Sequence, residues 1–437
     1  MKFRKILAAA MAGALVFTLS GCNGGSSSSQ NSNNSTENND GKTLTIWAWD
    51  DNFNVKAANI AKDYYAKENP DVTVNVVSMA QKDIVQTLNT ALSSGTYNGL
   101  PDIVLIEDYR IQNYITAYPD ELRDLSDIVN PDNFMDYKIE VMKDEDKIYG
   151  VPFDSGVTAL FYRTDYIEAA GYSVDDMQDI TWDKYIEIGE AVKETTGKFM
   201  LSLDPSDLGQ LRMMMQSAGE WYTDENGKVN IKDNEALKEA VKTYKKIIDS
   251  GISTQITGWD PFVAAFQKGD VASVPTGCWI APTIAAADDQ SGKWAVASLP
   301  KMADYSKSTN YSNIGGASWY VLNNTGNAEL AEDFLAKTFA SDTDLMNELA
   351  SEINLVSTLK AAGNAENYSK PNEFFSGQEI FRDFFDWTAE IPAVNYGLYT
   401  YTIEDIMTEA VQSILQGADI DETFENTQIQ AEAAAIS

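Results

Sequence analysis

The alternation of apolar and polar positions resolves the start of the folded chain into strand, helix and strand again. Residues 43–48 (TLTIWA) form a β-rich run that ends at Trp49, Asp50, Asp51 and Asn52. From 53 to 68 the period becomes helical, with Ala57, Ile60, Ala61, Tyr64 and Tyr65 on one stripe. Asn69 and Pro70 stop that helix, and residues 72–77 (VTVNVV) predict a second strand. Residues 81–93 predict another helix and 101–106 (PDIVLI) a third strand. The β-α-β-α-β order predicts a parallel sheet with right-handed crossovers. Such sheets bind ligands beyond the carboxyl ends of their strands. Here the chain leaves those ends at residues 49–51 and at Glu107, Asp108 and Tyr109.

The same alternation resumes after Gly150. Strands are predicted at 157–162, 271–274, 294–299 and 316–322, and helices at 182–195, 235–249, 261–268, 328–339, 401–415 and 422–435. Asp224 to Gly227 (DENG) predicts a hairpin turn between 221–222 and 229–231, since its carboxylate spacing does not fit a calcium loop. Met213, Met214 and Met215 read as packing within a helix. The length fits two α/β lobes joined by strands near 151–158 and 296–300.

Ahead of this body lie two segments of another kind. Residues 1–22 (MKFRKILAAAMAGALVFTLSGC) pair a basic start with an apolar run that is short for a permanent membrane span. This is the pattern of a secretory signal peptide. Its end, Leu19-Ser20-Gly21-Cys22, resembles the lipobox of bacterial lipoproteins, which implies cleavage after residue 21 and diacylation of Cys22. The alternative is ordinary secretory cleavage beside a coincidental cysteine. Residues 23–40 (NGGSSSSQNSNNSTENND) carry no apolar residue that could offset the entropy of ordering. A flexible tether over 22–41 is therefore expected.

Composition narrows the function. Among 437 residues, 66 are acidic and 32 basic, and loss of Lys2, Arg4 and Lys5 with the leader makes the mature chain more acidic still. Such a surface repels phosphate backbones, so no nucleic-acid partner is expected. The chain has no histidine, which excludes imidazole bases and His-ligated metals. Cys22 and Cys278 make no CxxC site, and Cys278 reads as a buried thiol. No cofactor, metal site or catalytic residue is called for.

The lipobox, the opening TLTIWAWD, PDIVLIEDYRIQNYI, IYGVPFDSGVTALFYRTD, and FQKGDVASVPTGCWIAP followed by WAVASLPK together resemble the extracellular solute-binding proteins of ABC importers. The similarity is to the branch of maltose-binding protein and other oligosaccharide binders, and it covers about residues 42–437. It implies an α/β, two-lobed periplasmic-binding-protein-like fold, each lobe a mostly parallel sheet flanked by helices. The expected lobes are 42–153 with about 300–350, and 154–299 with about 351–437. It further implies a monomer that closes on a neutral mono- or oligosaccharide and hands it to permease subunits, held outside the membrane by the lipid on Cys22.

The resemblance places Asp50, Asp51 and Asn52 on a loop that bonds sugar hydroxyls, Gln81 at a polar contact, and Asp108 and Tyr109 at the post-strand site. It places Asp154 at the interlobe strand, Asp204 in the cleft of the second lobe, and Trp279 on a sugar ring. Trp49, Trp259 and the stretch from Gly315 and Gly316 to Trp319 depart from maltose-binding protein and leave the particular sugar open. Asn395, Tyr396 and Tyr399 fall where the family usually carries an aromatic stacker. The physical fit is independent of the family. Aromatic planes cover the apolar faces of a pyranose, and carboxylates bind its hydroxyl rim.

Blander readings stand beside these. Trp49, Trp259 and Trp279 are candidates for core packing, to which Trp47, Trp182, Trp221, Trp294 and Trp387 default. Asp50 and Asp51 could cap the following helix, Asp154 could accept an interlobe hydrogen bond, and Asp204 ahead of Pro205 could serve a turn. The rival functions are a secreted glycosidase built on paired carboxylates and a binder of another neutral solute such as a peptide.

Overall fold

A computed structural model describes residues 42–436. The expected signal peptide, Cys22 and tether lie outside the described residues.

The first half follows the predicted rhythm closely. Strand β1 (Thr43–Ala48) leads through helix α1 (Asn54–Ala66) to β2 (Thr73–Ser78), then through α2 (Gln81–Ser94) to β3 (Ile103–Glu107). Ala57, Ala61 and Tyr65 of the α1 stripe are buried, and Gly95 ends α2 in the left-handed backbone that glycine adopts without penalty. Among the helices that the sequence pattern did not predict, α3 (Asp108–Ala117) starts on the residue that follows β3, so the strand end opens into a helix rather than a loop. Next come α4 (Asp136–Val141) and a short hairpin, β4 (Lys143–Asp144) with β5 (Lys147–Ile148). Strand β6 (Gly150–Pro152) then ends the first half.

The second half begins with β7 (Thr158–Arg163), α5 (Thr164–Ala169), α6 (Trp182–Thr196), β8 (Leu201–Leu203) and α7 (Gly209–Ser217). It continues with α8 (Glu235–Asp249), β9 (Ser253–Gln255), α9 (Trp259–Gln267), β10 (Ser273–Gly277), α10 (Ala281–Ala285) and β11 (Trp294–Ser298). Strand β12 (Ala317–Val321) is followed by α11 (Ala328–Lys337), α12 (Thr343–Glu352), α13 (Ile380–Thr388), α14 (Thr400–Leu415) and α15 (Ile420–Ile436). The start of α6 is set by Thr181, whose hydroxyl accepts the Lys184 N–H, and that of α8 by Asn234, which accepts from Leu237.

Two principal sheets result. The first has the order β2-β1-β3-β12-β6. Its β1–β2 and β1–β3 pairs are parallel, as the crossovers require, and β12 runs antiparallel to both neighbours. The second sheet, β10-β7-β11, corrects the expectation of a mostly parallel arrangement: both of its pairs are antiparallel. Parallel pairing survives around it, in β8–β9 and in single bridges from Phe199 to Val271 and from Thr181 to Lys301. The expected hairpin at 224–227 is a tight turn with one bridge, Thr223 to Val229, and no strands.

The chain passes from the first sheet to the second through residues 153–157 and returns through 299–316. Trp47, Trp182, Trp221, Trp294 and Trp319 are buried in the packed layers, while Trp259 and Trp279 stand exposed.

Candidate functional site

A cavity of about 620 Å³ opens where the carboxyl end of β3 meets the second half of the chain. Four of the expected residues line it: Tyr109, Asp204, Trp259 and Trp279.

The two indoles form its mouth. Trp279 sits in the single turn of 3-10 helix (Cys278–Ile280) after β10, is 40% exposed, and donates from Nε1 to the Ile314 carbonyl at 3.2 Å. It folds back over the strand end because residue 277 is glycine: a Cβ there would lie 2.1 Å from Trp279 Nε1. Trp259 opens α9, is 52% exposed, and follows Gly258 at φ +89°, a conformation that favours glycine. The two ring centroids are 6.1 Å apart with planes inclined at 36°, and Phe262 extends the strip, 5.7 Å from Trp259.

Asp204 anchors this mouth. One carboxylate oxygen accepts the Ser206 N–H and hydroxyl, at 2.9 and 2.6 Å, and the other accepts the Gly258 N–H at 3.0 Å. Partial burial would raise its pKa, but those three donors together hold it below the usual carboxylate value. The expected turn chemistry and the cavity position therefore coexist in one residue.

The floor was not legible in the sequence. Arg212, in the first turns of α7, is 8% exposed and lies between two carboxylates. Its Nη2 donates to Asp207 at 2.8 Å, and its Nε is 3.3 Å from Glu404 of α14. Burial raises the Glu404 pKa against the opposing pull of Arg212. The guanidinium also lies 5.6 Å from the Tyr109 ring, which packs edge-on against Tyr396 at 4.7 Å. Tyr401 closes one wall: its hydroxyl donates to Glu107 at 2.7 Å while Arg110 covers its ring at 4.1 Å. The available signals were a lone cation in the apolar run LRMMM and an aromatic two places beyond Tyr399.

The remaining expected residues lie outside this cavity. Trp49 and Gln81 border a separate small crevice beside Glu107 and Arg110. Asp50, Asp51 and Asn52 are exposed on the β1–α1 turn. Asp50 adopts φ +64° and accepts the Asn52 N–H at 3.0 Å, and no side chain caps α1. Asp108 is fully buried against Lys138, and Asp154, just past β6, accepts at 2.6 Å the N–H of Ala317 at the start of β12 in the same sheet. Gly316, at φ +96°, lies over the Asp108–Lys138 pair. Tyr396 is buried beneath Tyr109 and donates to Gln216 at 2.8 Å. Asn395 accepts from Thr223 through its carbonyl, and Tyr399 precedes the first turn of α14. Cys278 is buried, and burial pushes its thiol well above the usual value.

The geometry is an aromatic strip facing a charged, hydrogen-bonding floor. Known proteins resemble this chain in sequence and in fold. The family model described as "Bacterial extracellular solute-binding protein" matches residues 60–376. A lactose-binding protein of Rhizobium radiobacter is 43% identical over 388 residues, covering 89% of this chain and 92% of that protein. An arabinooligosaccharide-binding protein of Halalkalibacterium halodurans is 27% identical over 349 residues, covering 77% of this chain and 76% of its own length. Among solved structures, an ABC-transporter-associated binding protein of B. animalis subsp. lactis Bl-04, in complex with β-1,6-galactobiose, shares the fold. Its TM-score is 0.69 at 23% identity, over 89% of this chain and 96% of the other. By the extent of these matches, this chain belongs to the bacterial extracellular solute-binding protein family.

Proposed function

We propose that the protein captures a neutral oligosaccharide in the cavity between its lobes and delivers it to the permease of an ABC importer. The observation that carries this reading is the Trp259–Trp279 strip facing the Asp207–Arg212–Glu404 floor. Indole planes match the apolar faces of sugar rings, and charged groups form strong hydrogen bonds with hydroxyls. Carboxylates outnumber the single guanidinium of the lining, so the site favours uncharged ligands over anionic ones. The sugar-binding relatives support the same class. The reading assigns no chemistry to the protein. It takes Trp279, Trp259, Tyr109 and Asp204 as ligand contacts, together with Arg212, Glu404 and Tyr401. In the same proposal the protein is a monomer held at the extracellular face of the membrane by a lipid on Cys22, with a lobe boundary near residues 153 and 300.

Calorimetric titration with lactose, arabino-oligosaccharides, β-1,6-galactobiose and maltodextrins tests it. Saturable binding of at least one, with no release of shorter sugars, is the expected result. Failure of the whole panel alongside binding of a peptide or another solute would replace it.

Two further outcomes follow. Saturating sugar is expected to lower the radius of gyration in small-angle scattering, as two lobes rotate about the crossings at 153–157 and 299–316. Identical profiles with and without a tightly bound ligand would argue against closure. Gly277→Ala is expected to displace the Trp279 indole, because the new methyl occupies the place of Nε1. The side chain is half exposed and free to swing, so the melting temperature changes little while affinity falls about tenfold or more. Equal affinity in this variant would separate the indole from the ligand.

A further inference from the structure

One buried cation joins segments that are otherwise far apart in the chain. Lys138 of α4 is fully buried, and so is Asp108, the first residue of α3. Lys138 Nζ lies 2.6 Å from Asp108 Oδ2 and 3.9 Å from Asp154 Oδ1. Asp154 belongs to the outgoing crossing between the sheets. The returning crossing closes on the same group: Ala317 N–H donates to Asp154 Oδ1 at 2.6 Å, and Asp108 N–H donates to the Gly316 carbonyl at 3.0 Å. The backbone of Gly316 rests directly on the pair. A Cβ there would lie 2.7 Å from Asp108 Oδ2 and 3.1 Å from Lys138 Nζ.

The residues just before Gly316 are cavity wall. Gly315 N–H donates to the Tyr109 hydroxyl at 3.2 Å, and the Ile314 carbonyl accepts from Trp279 Nε1 at 3.2 Å. Two of the cavity aromatics, Tyr109 and Trp279, therefore hang on the short segment that the ion cluster pins. A buried ion pair is poor at adding stability, since apolar replacements of equal size often do as well. In some proteins such a cluster instead selects a single arrangement of the groups that must satisfy it.

We infer that Lys138 is a positioning residue for the cavity: through Asp108 and Asp154 it clamps the returning crossing and thereby sets Tyr109 and Trp279. The role of those two aromatics in binding rests on the proposed function. The clamp itself does not, and ligand-free readouts test it.

The informative variant is Lys138→Met with Asp108→Asn and Asp154→Asn, which removes all three charges at similar volume and leaves no unpaired ion. In the full-length, ligand-free protein, amides of residues 313–317 are expected to exchange hydrogen at least tenfold faster, while β1 and β2 exchange as in the wild type. The Trp279 emission, taken as the difference made by Trp279→Phe in each background, is expected to shift to the red as the Ile314 bond loosens. A folded triple variant with unchanged exchange and an unchanged Trp279 spectrum would overturn the assignment. Should it not fold, Lys138→Met with Asp108→Asn keeps the Asp154 acceptor and is read in the same way. Loss of fold in both would make the cluster a plain stability element and also overturn it. A wild-type protein that binds no sugar would remove the sugar reading and leave these outcomes intact.

Discussion

Trp279→Ala is expected to weaken sugar binding by about 2 kcal/mol, roughly 30-fold, with the fold retained. The indole stands at the cavity mouth with two-fifths of its surface open, so a ligand ring is what completes its burial. Each Å² of apolar surface covered contributes about 25 cal/mol, and an aromatic face offers that area in a rigid plane. Little in the unliganded protein depends on the side chain. Its one polar bond, to the Ile314 carbonyl, is made at the surface. Calorimetry with the best sugar of the panel, beside a thermal melt, separates the two effects. Unchanged affinity in a folded variant would move Trp279 out of the binding site.

The largest stability effect is expected from Lys138→Met alone, at about 3–5 kcal/mol near neutral pH. The substitution removes the cation from between Asp108 and Asp154 and leaves the buried Asp108 carboxylate without its partner. Its pH dependence has a definite sign. In the wild type, burial outweighs the pull of Lys138 and raises the Asp108 pKa from 3.8 to about 6. A folded value above the unfolded one means that the folded state holds its proton longer. Stability from this group is therefore full where the carboxyl is protonated in both states, and it falls as pH rises from the unfolded value through about 6. Without Lys138 the folded value climbs further, so the loss continues to higher pH. The deficit of the variant is accordingly expected to be small near pH 5 and to grow toward pH 8. Denaturant unfolding at those two pH values checks this. A deficit independent of pH would assign the effect to lost packing instead of lost charge.

Much of the first sheet was legible because its signals are local. The period of TLTIWA, the α1 stripe and the stop at Pro70 each arise within a few residues, and they recur as β1, α1 and β2. Turn chemistry was equally readable at Asp204, whose carboxylate gathers the Ser206 and Gly258 N–H groups. The post-strand position and the motif placed Tyr109 and Trp279 beside one cavity. Asp108 shows the limit of that reasoning. It occupies a strand end as expected, yet α3 begins on it and its carboxylate is sealed against Lys138.

Chain length, the absence of histidine, the acidic balance and the order of strands and helices are properties of the sequence itself, and they determined the α/β class and excluded imidazole chemistry. Strand direction in the second sheet, the pairing of Arg212 with Glu404, and the clasp of Tyr401 on Glu107 were decided only in the tertiary structure. The reason is physical. Periodicity and backbone entropy act between neighbours along the chain and leave their mark in a short window. The partner of a buried charge is chosen by desolvation, which depends on everything packed around it, and in α7 and α14 the local pattern is already satisfied by helix packing alone.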